Sequence, residues 1–406
     1  MTRLQIPAEG FGLDNLPYGV YSRGSADPAG RAGEGERRCA TRVGDQVVDL
    51  TLLLADDLPQ AERLFARGSL DEFMSEGPQL WQAVRALIAA RVPQDLPSDA
   101  VFDVADVTMH LPCEIGDYVD FYASEHHAAN LGRLFRPEQP DPLMPNWKHL
   151  PVGYHGRTCT IVPSGVDIVR PCGQRKDPAD PGPTFGPSAR LDIEAELGFL
   201  VGVGNAMGEP IAVAASEEHL FGAVLFNDWS ARDIQAWEYV PLGPHLGKSF
   251  ASSMSPWVVP MAALQAAKVP TPTQHPTPLP YLRMDPPWGL DVDLEVIWNG
   301  HVVSRPPYRE MYWSPAQMLA HLTVNGAATR TGDLFASGTI SGPDAAQRGA
   351  FIELTWGASA PVDVGGQART FLCDGDTVTL RGSATGPGGV RIDFGEVTAT
   401  ILPARC

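Results

Sequence analysis

Three carboxylates, Asp192, Glu194 and Glu196, alternate with Ile193, Ala195 and Leu197 in the stretch RLDIEAELGFLVGVGN, residues 190–205. In an extended chain they share one face, neighbours standing roughly 6–7 Å apart. A water-facing sheet surface is one account of such a stripe. The run GFLVGVG that follows, however, is apolar on both faces and therefore suited to burial. Like charges entering a buried sheet need compensation, and a hard divalent cation, Ca²⁺ or Mg²⁺, takes oxygen ligands of this kind.

Three further stretches carry chemistry. In FNDWSARDIQAWEYVPLGPHLGKSF, residues 226–250, Asp228 follows an apolar strand. If a helix starts there, Asp228, Arg232, Gln235 and Tyr239 fall on one face; the plainer account is that Asp228 caps the helix and pairs with Arg232. Lys248, in the Gly-rich segment beyond, adds a second cation that could return to the same place. DFYASEHHAANLG, residues 120–132, brings Asp120, Tyr122, His126 and His127. Imidazole suits proton transfer near neutral pH, and periodicity does not choose between the two histidines. Glu353 interrupts the apolar run FIELTW, read as a strand, either facing water or accepting a histidine ring N–H.

Other motifs fail. LGPHLGKS has Leu242 where the first glycine of a phosphate-binding loop belongs, and GVGNAMG places its last glycine one position too late for a dinucleotide fingerprint. Neither G-x-S-x-G nor H-E-x-x-H occurs.

The elements that must position these residues are mostly strands. The 406 residues include 41 Gly and 38 Pro, and the apolar runs TIVPSG, AELGFLVGV, FGAVLFND, LDVDLEVIWNG, AFIELTW and DTVTLRGSA are separated by turn residues. Helices are expected in PQLWQAVRALIAARV, where Leu80, Val84, Leu87 and Ile88 share a face, and in SPAQMLAHLTVNG, with Ser314 as cap and Gln317 completing a capping box. The expected class is mainly β, of the α+β kind. Pro112 and Gly116 mark a boundary near residue 115, giving parts 1–115 and 116–406. A net charge of −18 without a basic run argues against nucleic acid, and no segment approaches a membrane span, so a cytoplasmic location is expected. The six scattered cysteines lack C-x-x-C spacing and are expected to be reduced and mostly buried.

Taken together, GDYVDFY, HHAANLG, PNWKHLPVGYHGR, LDIEAELGF, NDWSARDIQAWEYVPLGPHLGKSF, SPWVVP, MYWSPAQML, ASGTISG and FLCDGDTV closely resemble the fumarylacetoacetate hydrolase family, near-continuously from about residue 109 onward and more weakly before it. The resemblance implies a small SH3-like N-terminal barrel, a large mixed β-roll C-terminal domain and a homodimer built through the larger domain. It implies that Asp120, Glu194, Glu196 and Asp228 hold a divalent metal, Ca²⁺ and/or Mg²⁺, with Lys248 and Ser252 near a second metal or its solvent. Ser252 stands where the family has Thr. Tyr122, Arg136, Gln235, Tyr239 and Thr339 match substrate contacts, and His127 matches the general base, with Glu353 as its partner. Asp192 matches no ligand position and is left to the surroundings of the site or to solvent; His126 receives no role.

The implied reaction is hydrolysis of a carbon-carbon bond in 4-fumarylacetoacetate to fumarate and acetoacetate, the last step of tyrosine and phenylalanine catabolism. Expelling a carbanion demands stabilised negative charge, for which the metal and the donors Arg232, Gln235 and Lys248 are suited. An acylpyruvate hydrolase, or a related diketo-acid decarboxylase or isomerase, is the alternative within the superfamily. The long N-terminal region and the pairing of His127 with Glu353 weigh against it. A catalytically silent metal-binding structural protein is the alternative from another class, opposed by a competent side chain at every position needed.

Overall fold

Strands that are apolar at alternate and intervening positions alike must be covered on both faces. Ala195–Val201 and Leu220–Asp228 are such strands, buried at every residue in the computed structural model, which describes residues 1–26, 32–33, 35–177 and 179–406. They pair antiparallel at the centre of an eight-stranded mixed sheet. Its order is Gly153–His155, Tyr118–Phe121, Leu334–Ala336, Ala195–Val201, Leu220–Asp228, Ser252–Met254 and Ile161–Pro163, with Val259–Pro260 branching from the Leu220 strand.

Each face of this sheet meets a different core. Leu197, Phe199, Ala223, Leu225 and Phe335 join a core shared with a five-stranded sheet of Ile168–Val169, Arg391–Leu402, Thr377–Thr385, Val292–Trp298 and His301–Ser304. Leu200, Val224, Phe226 and Leu334, on the reverse, pack with Tyr18, Phe65, Phe73, Val84 and Ile88 of the N-terminal region. That region has its own antiparallel sheet, ordered Val101–Asp103, Gln46–Asp49, Arg37–Val43, Tyr18–Ser22 and Thr108–His110. The class is mixed α+β with strands dominant, as expected. The helix Pro78–Arg91 buries Val84 and Ile88, and Pro315–Thr323 begins with the capping box of Ser314 and Gln317. Among the described residues no helix is long and apolar enough to cross a membrane.

Three expectations are corrected. The run FIELTW is not a strand: Phe351–Leu354 forms a short helical turn. Phe351 stacks on Trp298 at 4.3 Å while Ile352 packs with Leu131 and Phe371 in a separate cluster, so the run is apolar all round. A short run of that kind does not reveal its period. No helix starts at Asp228, which ends its strand; the helix is Arg232–Glu238, because Asp228 stays in register with Ser252 and the next strand, Ser230–Ala231, pairs with Leu191–Asp192. Nor are all cysteines reduced and mostly buried. Cys172 and Cys406 form a disulfide, brought together because Ile168 and Val169 run parallel to Ile401 and Leu402. Cys39 and Cys113 are buried, whereas Cys159 and Cys373 are exposed.

One backbone position ties this fold to the chemistry. Gly338 has φ of 74°, and a Cβ there would stand 2.2 Å from the Phe121 carbonyl oxygen. Left-handed backbone in so narrow a gap requires glycine. Gly338→Ala is expected to cost about 1–3 kcal/mol, read as a lower urea midpoint, and an unchanged midpoint would contradict the assignment.

Candidate functional site

Register alone gathers three of the expected ligands at one end of the central sheet. Asp120 lies opposite Tyr154 on one side and Ala336 on the other. Ala336 lies opposite Gly198, two residues from Glu196, and Glu196 lies opposite Phe226, two residues from Asp228. The period of two then puts Asp120, Glu196 and Asp228 on a common face. Glu194 joins them from the break between Leu191–Asp192 and Ala195–Val201, where its backbone N–H donates to the Asn227 side chain at 3.2 Å. One oxygen from each of the four carboxylates lies within 4.8 Å of the others, and all four residues are buried.

Such a group cannot hold four negative charges without help. Lys248 Nζ donates to Glu194 Oε2 at 2.5 Å and to Asp228 Oδ2 at 2.7 Å, while Arg232 Nη1 donates to Glu194 Oε1 at 2.8 Å. Burial opposes the charge on Glu194, but Lys248 and Arg232 outweigh it and hold this carboxyl well below the usual range. Burial would likewise discharge Lys248, yet Asp228 and Glu194 keep its ammonium protonated beyond the ordinary lysine range. Asp120 and Glu196 lack equal support: burial, reinforced by neighbouring carboxylates, pushes both well upward. The Tyr154 hydroxyl lies 2.9 Å from Asp120 Oδ2 and 2.7 Å from Asp228 Oδ2. One phenol hydrogen is shared between these two carboxylates.

Asp120 Oδ1 and Glu196 Oε1 are buried with no hydrogen-bond partner, although Glu196 Oε2 accepts from the Gly338 backbone at 3.0 Å. Oxygen-only donors with two unmatched lone-pair sites fit a hard divalent cation. Lys248 cannot itself be a ligand, since an ammonium has no acceptor pair. Ser252 Oγ donates to Asp228 Oδ1 at 3.1 Å, so both residues expected near a second cation bear on the same carboxylate.

The base candidate stands beside this cluster. Ser124 caps the helix Glu125–Phe135 by accepting from the His127 backbone, and the His127 ring is buried with Nδ1 2.6 Å from Glu353 Oε2. Glu353 also accepts from Asn130 Nδ2 and Ser341 Oγ, both at 2.9 Å. Burial opposes its charge, but His127 and these donors hold its carboxyl below the ordinary range. An ionised Glu353 fixes the hydrogen on Nδ1, leaving Nε2 bare in neutral imidazole, 3.9 Å from Glu194 Oε1. His126 instead points to Glu310 at 3.7 Å.

The other expected residues fall into two groups. The Tyr122 ring meets the His127 ring edge-on at 5.2 Å, Gln235 accepts from Arg232 Nη1 at 3.1 Å, and Thr339 Oγ1 and Arg232 Nη2 are buried without partners. Arg136 and Tyr239 stand further out. Arg136 donates to Gln139 and to the Pro142 carbonyl, and Tyr239, 36% exposed, stacks on Phe135 at 6.5 Å. Sequence reasoning missed Tyr154, Asn130 and Ser341. Tyr154 and Ser341 lie in the motifs GYHGR and ASGTISG, and Asn130 follows His127 by three residues on one helix face.

Known proteins resemble this chain throughout. Residues 118–402 match the family described as fumarylacetoacetate (FAA) hydrolase C-terminal, and residues 14–112 match fumarylacetoacetase N-terminal. The fumarylacetoacetase of Homo sapiens is 46% identical over 414 residues, covering 97% of this chain and 96% of the relative. That of Caenorhabditis elegans is 44% identical, covering 97% of each. Among solved structures, a fumarylacetoacetate hydrolase from Exiguobacterium antarcticum superposes with a TM-score of 0.55 at 18% identity, covering 96% of this chain and all of the other, a likeness of fold.

The raised carboxyls generate a pH dependence. Burial and the neighbouring carboxylates make Asp120 and Glu196 hold their protons to higher pH than ordinary carboxyls do, and a bound cation competes with those protons. Divalent-cation binding should therefore release protons and strengthen as pH rises. Calorimetry in buffers of different ionisation enthalpy measures this, and a pH-independent affinity without proton release would contradict it.

Proposed function

The chain belongs to the fumarylacetoacetate hydrolase family, and on that premise we propose that it hydrolyses the carbon-carbon bond of 4-fumarylacetoacetate to fumarate and acetoacetate. The observation that carries the reading is the buried His127, tied through Nδ1 to Glu353, with its Nε2 facing the four-carboxylate cluster. His127 takes a proton from water at Nε2, and the oxygen adds to the carbonyl beside the fumaryl group. Arg232, through its unpartnered Nη2, and Lys248 donate to the resulting oxyanion, with Gln235 holding the guanidinium. The oxyanion then collapses and the bond to the acetoacetate unit breaks, its electron pair leaving as an enolate whose carbon takes up the proton that His127 removed from water. Asp120, Glu194, Glu196 and Asp228 would hold a divalent cation, which would supply Lewis-acid stabilisation of that enolate.

Tyr122, Arg136, Tyr239 and Thr339 are assigned to the substrate's oxygens; the unpartnered Thr339 Oγ1 supports this for one of them. Lys248 and Ser252 are assigned to the solvent of a second cation, Ca²⁺ or Mg²⁺, through their bonds to Asp228. The same premise supports a division into parts 1–115 and 116–406, the first an SH3-like barrel, a homodimer through the larger part, and a cytoplasmic location.

Loss of fumarylacetoacetate absorbance, measured beside acylpyruvates with and without chelator, tests the reading. Faster turnover of acylpyruvates would overturn the substrate assignment, and full activity after exhaustive chelation would overturn metal dependence. His127→Ala is expected to lower kcat by about 100-fold or more with metal content unchanged; metal lost in that variant would make His127 a ligand instead. Glu196→Gln should weaken cation affinity and activity together, and a variant with wild-type affinity would remove Glu196 from the ligand set.

A further inference from the structure

Asp192 is the member of the three-carboxylate stripe that the cation cluster does not use, yet it is completely buried. Its two oxygens take four donors. Oδ2 accepts from Arg232 Nε at 2.8 Å and from the Ile352 backbone at 3.1 Å; Oδ1 accepts from the Phe351 backbone at 2.7 Å and from its own neighbour, Ile193, at 2.8 Å. These donors belong to the two elements whose relative placement matters most. Arg232 opens the helix that also carries Gln235, and Phe351 and Ile352 open the turn that carries Glu353.

Each element has contacts of its own, Arg232 through its backbone N–H to the Arg190 carbonyl and Glu353 through Asn130 and Ser341, and Asp192 bonds to both. The Arg232–Glu238 helix and the Phe351–Leu354 turn both begin without a side-chain cap from the residue preceding them. The guanidinium of Arg232 is anchored at Nε by Asp192 and at Nη1 by Glu194 and Gln235, which leaves Nη2 free. With Nε released, the planar fork could rotate about its remaining contacts and withdraw Nη2.

We propose that Asp192 is a positioning residue, a buried carboxylate that fixes the oxyanion donor Arg232 and the Glu353 turn behind His127 at a set separation. The inference rests on the reaction read above. Asp192 is not among the four clustered carboxylates; it spans between two groups that this reaction sets on the same carbonyl, one donating to its oxygen and one orienting the base that activates the water. Asparagine at this position keeps an oxygen for the Phe351 and Ile193 N–H groups but turns an N–H₂ toward Arg232 and Ile352, donor against donor.

The test compares wild type, Asp192→Asn, Arg232→Lys and the double variant. Asp192→Asn is expected to lower kcat by about 10- to 100-fold with KM changed by less than about threefold, since a small misplacement of a transition-state donor acts on the chemical step. Calcium affinity measured by calorimetry should stay within about twofold of wild type, because no ligand is touched. The double variant should lose little beyond Arg232→Lys alone, as expected of residues that act through one another. Unchanged kcat, fully additive losses or abolished calcium binding would each overturn the proposal. A crystal structure of Asp192→Asn provides a readout independent of turnover: a shifted guanidinium is expected, and Arg232 unmoved would overturn the proposal. Failure of the wild type to cleave fumarylacetoacetate would count against the reaction assigned above, with the crystal structure still deciding the clamp.

Discussion

Mutual repulsion among four buried carboxylates is the constraint on which the rest of the molecule turns. Charges so placed are tolerable only if cations are fixed among them, and two of the chain's own are already there. Lys248 bridges Glu194 and Asp228, and Arg232 holds the other oxygen of Glu194. Compensation is uneven, which is why Glu194 is held ionised while Asp120 and Glu196 are driven toward their neutral forms. The unevenness marks where a divalent ion fits, at the side of the cluster bearing the two oxygens without partners.

A second buried carboxylate is handled differently. Glu353 needs no metal because Asn130, Ser341 and the His127 ring all direct donors at it. Full satisfaction makes it an ionised fixed point, and the imidazole is oriented by it. The site thus contains two kinds of carboxylate on either side of the His127 ring, one set with oxygens open to a cation, the other saturated and closed to one.

Much of this was legible in the residues. The two central strands are apolar on both faces because each face meets its own core, so the continuous runs around Leu197 and Leu225 announced burial correctly. Asp120, Glu194, Glu196, Asp228, His127, Lys248 and Glu353, chosen from residue types and family motifs, do meet in space. What escaped depended on partners distant in sequence. The turn at Phe351 is set by backbone donors reaching Asp192 from across the molecule, and neither propensity nor period carries that information. Tyr154 gains significance only by lying opposite Asp120 in the sheet, and Cys172 finds Cys406 only through the parallel pairing that precedes both. Asp192, first read as one charge in a regular stripe, differs from its neighbours because the strand breaks between it and Glu196.

The register that gathers the carboxylates also fixes when they can meet. Asp120 reaches Glu196 only through Leu334–Ala336, a strand that lies between theirs in the sheet and arrives more than half the chain after Tyr118–Phe121. Contacts that close so large a loop cost more chain entropy than those of the local hairpins. The four oxygens therefore converge only once the sheet is almost complete. A cation that these four oxygens held would therefore add its binding free energy to the assembled chain and not to the unfolded one.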